Sequence, residues 1–199
     1  MSDRAATRYA RPKASERVLE IASELFYEEG IQSVGVDRIA AESDTSKATL
    51  YAHYGNKDGL IAAYIERYTS QAQERIAATL ERAGADPRAR IVALFDDLAD
   101  WHCEADFRGC AFINAGGELA DPAHPAIAIG RAHRAWVRDV FGGLAAASGA
   151  PDAHAAGTQL LMLYDAATIT ANLDGTTDAA ALGRDVAERL LDSWASQAG

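Results

Sequence analysis

The sequence predicts an all-α protein of about nine helices. Three observations carry this. Apolar residues recur at three- and four-residue spacing through most of the chain. Capping residues, glycines and prolines punctuate the pattern at helix-length intervals. No alternating β-branched run occurs, so no sheet is expected.

The elements follow in order. Ser15 is placed as an N-cap with Glu16 in the first turn, where a carboxylate favours the helix dipole. Val18, Ile21, Ala22, Leu25 and Phe26 then line one helical face, and Gly30 ends it. A short helix is expected from Val36 to Ser43, burying Ile39 and Ala40. Asp44-Thr45 breaks the chain, and a second short helix runs from Ser46 to His53, burying Leu50. After Gly55-Asn56 a long helix from Lys57 to Arg82 turns Leu60, Ile61, Tyr64, Ile65, Tyr68, Ala72 and Ile76 inward. Gly84 to Pro87 reads as a linker, and five further helices are expected near 88–104, 108–119, 124–147, 152–172 and 178–196.

With 199 residues, 49% apolar and 24% charged, the composition is that of one or two globular domains rather than a disordered tail or a fibre. No apolar run is long enough to span a membrane, so no membrane partner is expected. The start of the chain is polar and basic without an apolar stretch, which points to a cytoplasmic protein. The two cysteines cannot build a disulfide framework.

The net charge of −10 taken alone argues against nucleic acid. Its distribution reads differently. Residues 1–58 carry eight basic and ten acidic side chains, whereas residues 59–199 carry eleven and nineteen. Arg4, Arg8, Arg11 and Lys13 make a basic, flexible arm over residues 1–14. Two short helices joined by a tight turn, after one longer helix, form a helix-turn-helix, here over residues 15–56. Its second helix would present Ser46, Lys47, Thr49 and His53 outward, with the small Ala48 permitting close approach. Hydroxyls, an ammonium and an imidazole suit phosphate oxygens and base edges, and the arm suits an adjacent minor groove. On this pattern alone, a three-helix cap on a helical bundle remains equally open.

The stretch from Gly30 to Leu60, with Asp37-Arg38-Ile39-Ala40, Ser46-Lys47-Ala48-Thr49-Leu50-Tyr51, His53-Tyr54 and Asn56-Lys57, resembles the TetR family of bacterial transcription regulators. The resemblance spans residues 15–61. It implies a homodimer that binds a double-stranded, pseudo-palindromic DNA operator, usually as a repressor, and is released by a small-molecule effector bound in residues 57–199, which also dimerise. It assigns Lys47, Ala48 and Thr49 to base reading, Tyr51 and His53 to phosphates, and Lys57 to a backbone grip through its amide and ammonium. Arg38 falls on the supporting helix. Tyr51 also suits packing beside Leu50. Two positions depart from the family pattern. Asp44-Thr45 replaces the usual Gly-Val of the turn, which Asp can accommodate in the left-handed region while the Thr45 hydroxyl caps the next helix. Asp37 precedes Arg38 where the reverse order is common, bringing an acid towards the phosphates.

Beyond residue 61 the resemblance is weak, although the stretch from Phe107 to Ala115 looks like one recurring in a TetR subgroup. In the family the last two helices form the dimer interface, where Leu190 and Trp194 suit anchors. Apolar residues with a few polar ones among them make the pocket candidates: Phe95, Trp101, Phe112, Asn114, His133, Trp136, Tyr164 and Thr168. Plain core packing is the competing reading for each aromatic. Gly116-Gly117 within a helix is costly and points to close packing or a kink. His102 and Cys103 diverge on a helix and no P-C-x-x-C follows, so no metal or other cofactor is expected. Cys103 and Cys110 would lie about 10 Å apart on a continuous helix, too far for a disulfide unless the chain breaks at Arg108-Gly109.

Two other function classes compete. A helical-bundle enzyme would use His102, His133 and Asp165 as acid–base groups, but no nucleophile, phosphate loop or metal constellation supports it. A helical interaction protein that has lost DNA binding is made thinkable by Asp37 and Asp44.

Overall fold

A computed structural model describes residues 13–197. Most of the basic arm expected over residues 1–14 lies outside that range. The described residues form nine helices and no strand: α1 (Ala14–Glu29), α2 (Val36–Glu42), α3 (Lys47–Tyr54), α4 (Lys57–Arg82), α5 (Pro87–His102), α6 (Ala111–Glu118), α7 (Pro125–Ala147), α8 (Ala153–Asp174) and α9 (Ala179–Gln197). None is long and apolar enough to cross a membrane. They fall into two compact units, one up to Tyr64 and one from Ile65, so that α4 contributes to both.

In the first unit α1, α2 and α3 close around Val18, Ala22, Phe26, Ile39 and Leu50, joined by Leu60, Ile61 and Tyr64 from the start of α4. Phe26 and Tyr64 meet with ring centroids 5.6 Å apart. Two start signals differ from expectation. The N-cap of α1 is Lys13, not Ser15, and Glu16 reaches back to accept from the Lys13 amide at 3.0 Å. Ser15 is thereby inside the first turn, where its carbonyl accepts from the Tyr54 hydroxyl at 2.7 Å. The cap of α3 is Ser46, whose Oγ accepts from the Thr49 amide at 3.0 Å. Thr45 does not cap α3; its hydroxyl bonds Ser43 Oγ at 2.8 Å. Asp44 takes φ 50°, in the left-handed region, as the turn requires.

The second unit packs α7 along α8 and sets α9 against both α5 and α8. Phe95, Phe141 and Tyr164 form its aromatic centre, with ring centroids 5.7–6.1 Å apart. The helices α7 and α8 cross at glycine. A Cβ on Gly157 would lie 2.4 Å from the Arg138 carbonyl oxygen, and one on Gly142 would lie 2.6 Å from that of Ala153. Gly116 and Gly117, expected to allow close packing, instead face open space on exposed turns of α6. Asp86 caps α5 by accepting from the amides of Arg88 and Ala89, with Pro87 in the first turn.

Candidate nucleic-acid interface and inner cavity

The Ser46 cap exposes the first turn of α3. Lys47 and Ala48 are exposed there and Thr49 is half-buried, its hydroxyl bonded to Ser46 Oγ at 2.9 Å. Tyr51 is 42% exposed, so its ring is not a core element, and His53 is exposed beside Tyr54. Arg17 fixes the turn from below: its guanidinium donates to the carbonyls of Ser43 at 3.2 Å and Asp44 at 3.3 Å. The sequence reading missed Arg17, because an arginine on a polar helix face carries no local sign of a partner twenty-six residues away.

The cations of this surface are already paired within the unit. Lys47 makes an ion pair with Asp37. Arg38 is held bidentately by Glu29 at 2.5 and 2.7 Å and by Glu42 at 2.6 Å. The Arg38 hydrogen bonds hold the Glu29 carboxyl below its ordinary range. Lys57 points inward: its ammonium donates to the Ile31 carbonyl at 2.6 Å and lies 5.9 Å from the centre of the Phe26 ring. Its ammonium is thus committed to holding α4 on the unit, which differs from the phosphate grip that the resemblance implies. Asn56 caps α4 by accepting from the Gly59 amide at 2.8 Å.

The second unit holds a cavity of about 40 Å³. Of the pocket candidates, Trp101, Phe112, His133, Tyr164 and Thr168 line it. Phe95, Asn114 and Trp136 do not. Phe95 is fully buried in the aromatic centre, Asn114 donates to the Arg108 carbonyl at 2.8 Å, and Trp136 stacks on the outer side of His133 at 6.0 Å. Tyr68, Arg75, Cys110, Arg134 and Asp165 also line the cavity; the sequence reading turned Tyr68 inward and offered Asp165 only as an acid–base group, and named none of the five as pocket residues. Charged residues on helices of mixed polarity read as solvated, and only packing shows that they face in.

The polar side of this cavity is electrostatically dense. Arg75 stacks on Trp101 at 4.6 Å, with Nε 3.2 Å from Asp97 Oδ2. Arg134 pairs with Asp165 at 2.6 Å. Burial raises the Asp165 carboxyl, against the pull of Arg134. Burial also pushes the Tyr164 phenol up to about 12, although the Arg75 charge works against it. The His133 imidazole is lowered by burial and by Arg134, and the Cys110 thiol is raised by burial. No group of three or more potential metal ligands occurs among the described residues. Cys103 and Cys110 are both free thiols, and the break between α5 and α6 separates them.

The family model described as bacterial regulatory proteins, tetR family, matches residues 18–64, which covers the described helix-turn-helix. The crystal structure of SCO4454, a TetR-family transcriptional regulator from Streptomyces coelicolor, is 36% identical with a TM-score of 0.85, over 92% of this chain and 96% of that one. The chain belongs to the TetR family of transcriptional regulators. Among curated relatives, the HTH-type transcriptional repressor DhaR of Mycobacterium sp. (strain GP1) is 26% identical over 56% of this chain. The activator FasR of Mycolicibacterium smegmatis (strain ATCC 700084 / mc(2)155) is 29% identical over 60% of it. The match spans 54% of the length of each of these two relatives. Membership accounts for the helix-turn-helix of the first unit and for the all-helical second unit.

The residues expected as dimer anchors pack within their own unit. Trp194 is buried in its own unit's core, and Leu190 packs against that core. The apolar residues that do face out on the last two helices are Met162, Ile169 and Leu173 on α8 and Leu182 and Val186 on α9. Helical phase explains the exchange. The amphipathic face of α9 that looks strongest in sequence is the one its own unit uses.

Proposed function

We propose that this protein is a ligand-responsive repressor that binds a pseudo-palindromic operator as a homodimer and is released by a small molecule held in the second unit. The observation that carries the reading is the capped, outward-facing first turn of α3, with Lys47, Ala48 and Thr49 on it, within a TetR-family chain. Ser46, Tyr51 and His53 are assigned to phosphate or base contacts beside it, and Arg38 to a supporting contact once its carboxylate partners yield. The exposed apolar residues of α8 and α9 support a second copy of the chain as the partner of that face. The cavity supports the effector, and α4, shared by both units, carries its effect. The ligand acts only through preferring one of two states.

The test is capture of genomic fragments by the purified protein at moderate salt, followed by sequencing. Enrichment of a few palindromic sites is expected, with Lys47→Ala weakening capture and flattening its salt dependence. Absence of enrichment at every salt concentration overturns the reading.

A second reading, an interaction protein without DNA binding, draws on one observation. The cations of the α2–α3 surface are neutralised by Glu29, Asp37 and Glu42. A salt-dependent footprint on DNA excludes it.

A further inference from the structure

The cavity wall is mostly carbon, from Ala72, Ile76, Trp101, Phe112, Val137 and Leu161. Two of its other side chains each bury a polar atom that has no hydrogen-bond partner: the Tyr164 hydroxyl and His133 Nδ1. Folded interiors leave few such atoms, and two around one cavity mark a place where something else completes the bonding. A protonated phenol donates its hydrogen, so the partner that Tyr164 lacks is an acceptor.

Charge narrows the class further. Arg75 is balanced by Asp97, which also accepts from the Thr79 hydroxyl at 2.9 Å. Arg134 is balanced by Asp165. An ionic ligand would bring a charge that nothing on this wall matches, at a large desolvation cost. Shape supplies the rest. Trp101 supplies one aromatic wall, and Phe112 sits on the short helix α6, which packs chiefly on α7. The Phe112 ring is pressed onto Gly130, where a Cβ would lie 1.7 Å from it. The present 40 Å³ holds only roughly three waters, so a ring-sized guest enters by displacing a wall. Phe112 is only partly buried, whereas the wall residues Ile76, Trp101, Val137 and Leu161 are buried.

We propose that the effector is an uncharged aryl carbonyl compound, its oxygen accepting from the Tyr164 hydroxyl and its ring seated where the Phe112 ring lies in the free protein. This rests on the effector reading of the cavity, and it names the chemistry that the cavity selects.

Four probes of matched size separate the alternatives: acetophenone, ethylbenzene, 1-phenylethylammonium and benzoate. Each is titrated into the full chain without DNA and followed by calorimetry and by intrinsic tryptophan fluorescence. Acetophenone is expected to bind about tenfold more tightly than each of the others, the effect of one hydrogen bond. Tyr164→Phe should remove most of that advantage while leaving ethylbenzene affinity unchanged, which also shows that the variant is folded. Phe112→Ala should tighten acetophenone and ethylbenzene alike. Benzoate or the ammonium binding most tightly, ethylbenzene matching acetophenone, or no probe binding to either the native chain or Phe112→Ala overturns the proposal. Failure of the regulator reading has its own signature: no operator is captured, whatever the probes do.

Discussion

Lys47, which we propose reads DNA, is paired with Asp37 in the free chain. An exposed pair of this kind contributes little stability but competes directly with phosphate. Asp37→Asn is therefore expected to tighten operator binding several-fold and to steepen the slope of log affinity against log salt by up to about 0.9, as one more phosphate is neutralised. Binding isotherms at three or more salt concentrations measure both, and an unchanged affinity would show that Lys47 reaches DNA with its acid still attached. His102 offers a second residue-scale test. Its ring is buried against Phe107 at 4.8 Å, neither nitrogen has a hydrogen-bond partner, and desolvation followed by the Arg75 charge lowers its pKa from 6.5 to about 4. The fold favours the neutral ring. That stability is complete above the unfolded-state value of 6.5 and is lost as pH falls through the window down to about 4. His133 is lowered in the same direction. Melting temperature should drop across that window, and His102→Leu should make the drop shallower. An identical slope would place the acid sensitivity elsewhere.

Helix crossings decide the next scale. The α7–α8 contact depends on the absence of a Cβ at Gly142 and Gly157, and the obstructing atoms are backbone, which cannot swing aside. Gly157→Ala should destabilise the second unit by about 1–3 kcal/mol despite the better helix propensity of alanine. Thermal unfolding measures it, and a stabilised variant would mean that the helices separate without cost. The same substitution at Gly116 or Gly117 meets open space and should be neutral or stabilising. At the turn of the first unit, Arg17 and the left-handed Asp44 replace what glycine does elsewhere. A side-chain donor bound to two carbonyls holds a geometry that the residue at the turn disfavours by itself.

For the whole molecule the leading facts are its acid charge and its unpartnered face. A net charge of −10 repels DNA at long range, so binding falls to the local cations of the first unit and should be strongly salt-sensitive. The exposed residues of α8 and α9, with Leu173 76% and Leu182 64% exposed, make the apolar surface expected of a subunit contact. The double change Leu173→Lys, Leu182→Lys should yield monomers by sedimentation and weaken operator binding by far more than about tenfold, because both recognition helices must engage together. Trp194→Ala should instead lower stability by about 3–5 kcal/mol, as loss of a core aromatic does. Dimers that persist in the double variant would reject this face.

The sequence by itself determined the helices, their order and the helix-turn-helix. Each of these depends on residues close together in the chain: the 3.6-residue apolar repeat, caps such as Ser46 and Asp86, and breaks such as Gly55. The sequence also contained half of the cavity, because Trp101, Phe112 and Tyr164 are conspicuous aromatics. Tertiary structure alone decided which charged side chains turn inward. Arg75, Arg134 and Asp165 are ordinary helix residues until α4, α7 and α8 bring them to one cavity. It likewise decided that Lys57 braces the fold and that Trp194 packs into its own unit's core. A helix pattern reports which faces are apolar, but not which of two apolar faces its own unit covers. That assignment depends on contacts between residues far apart in the chain.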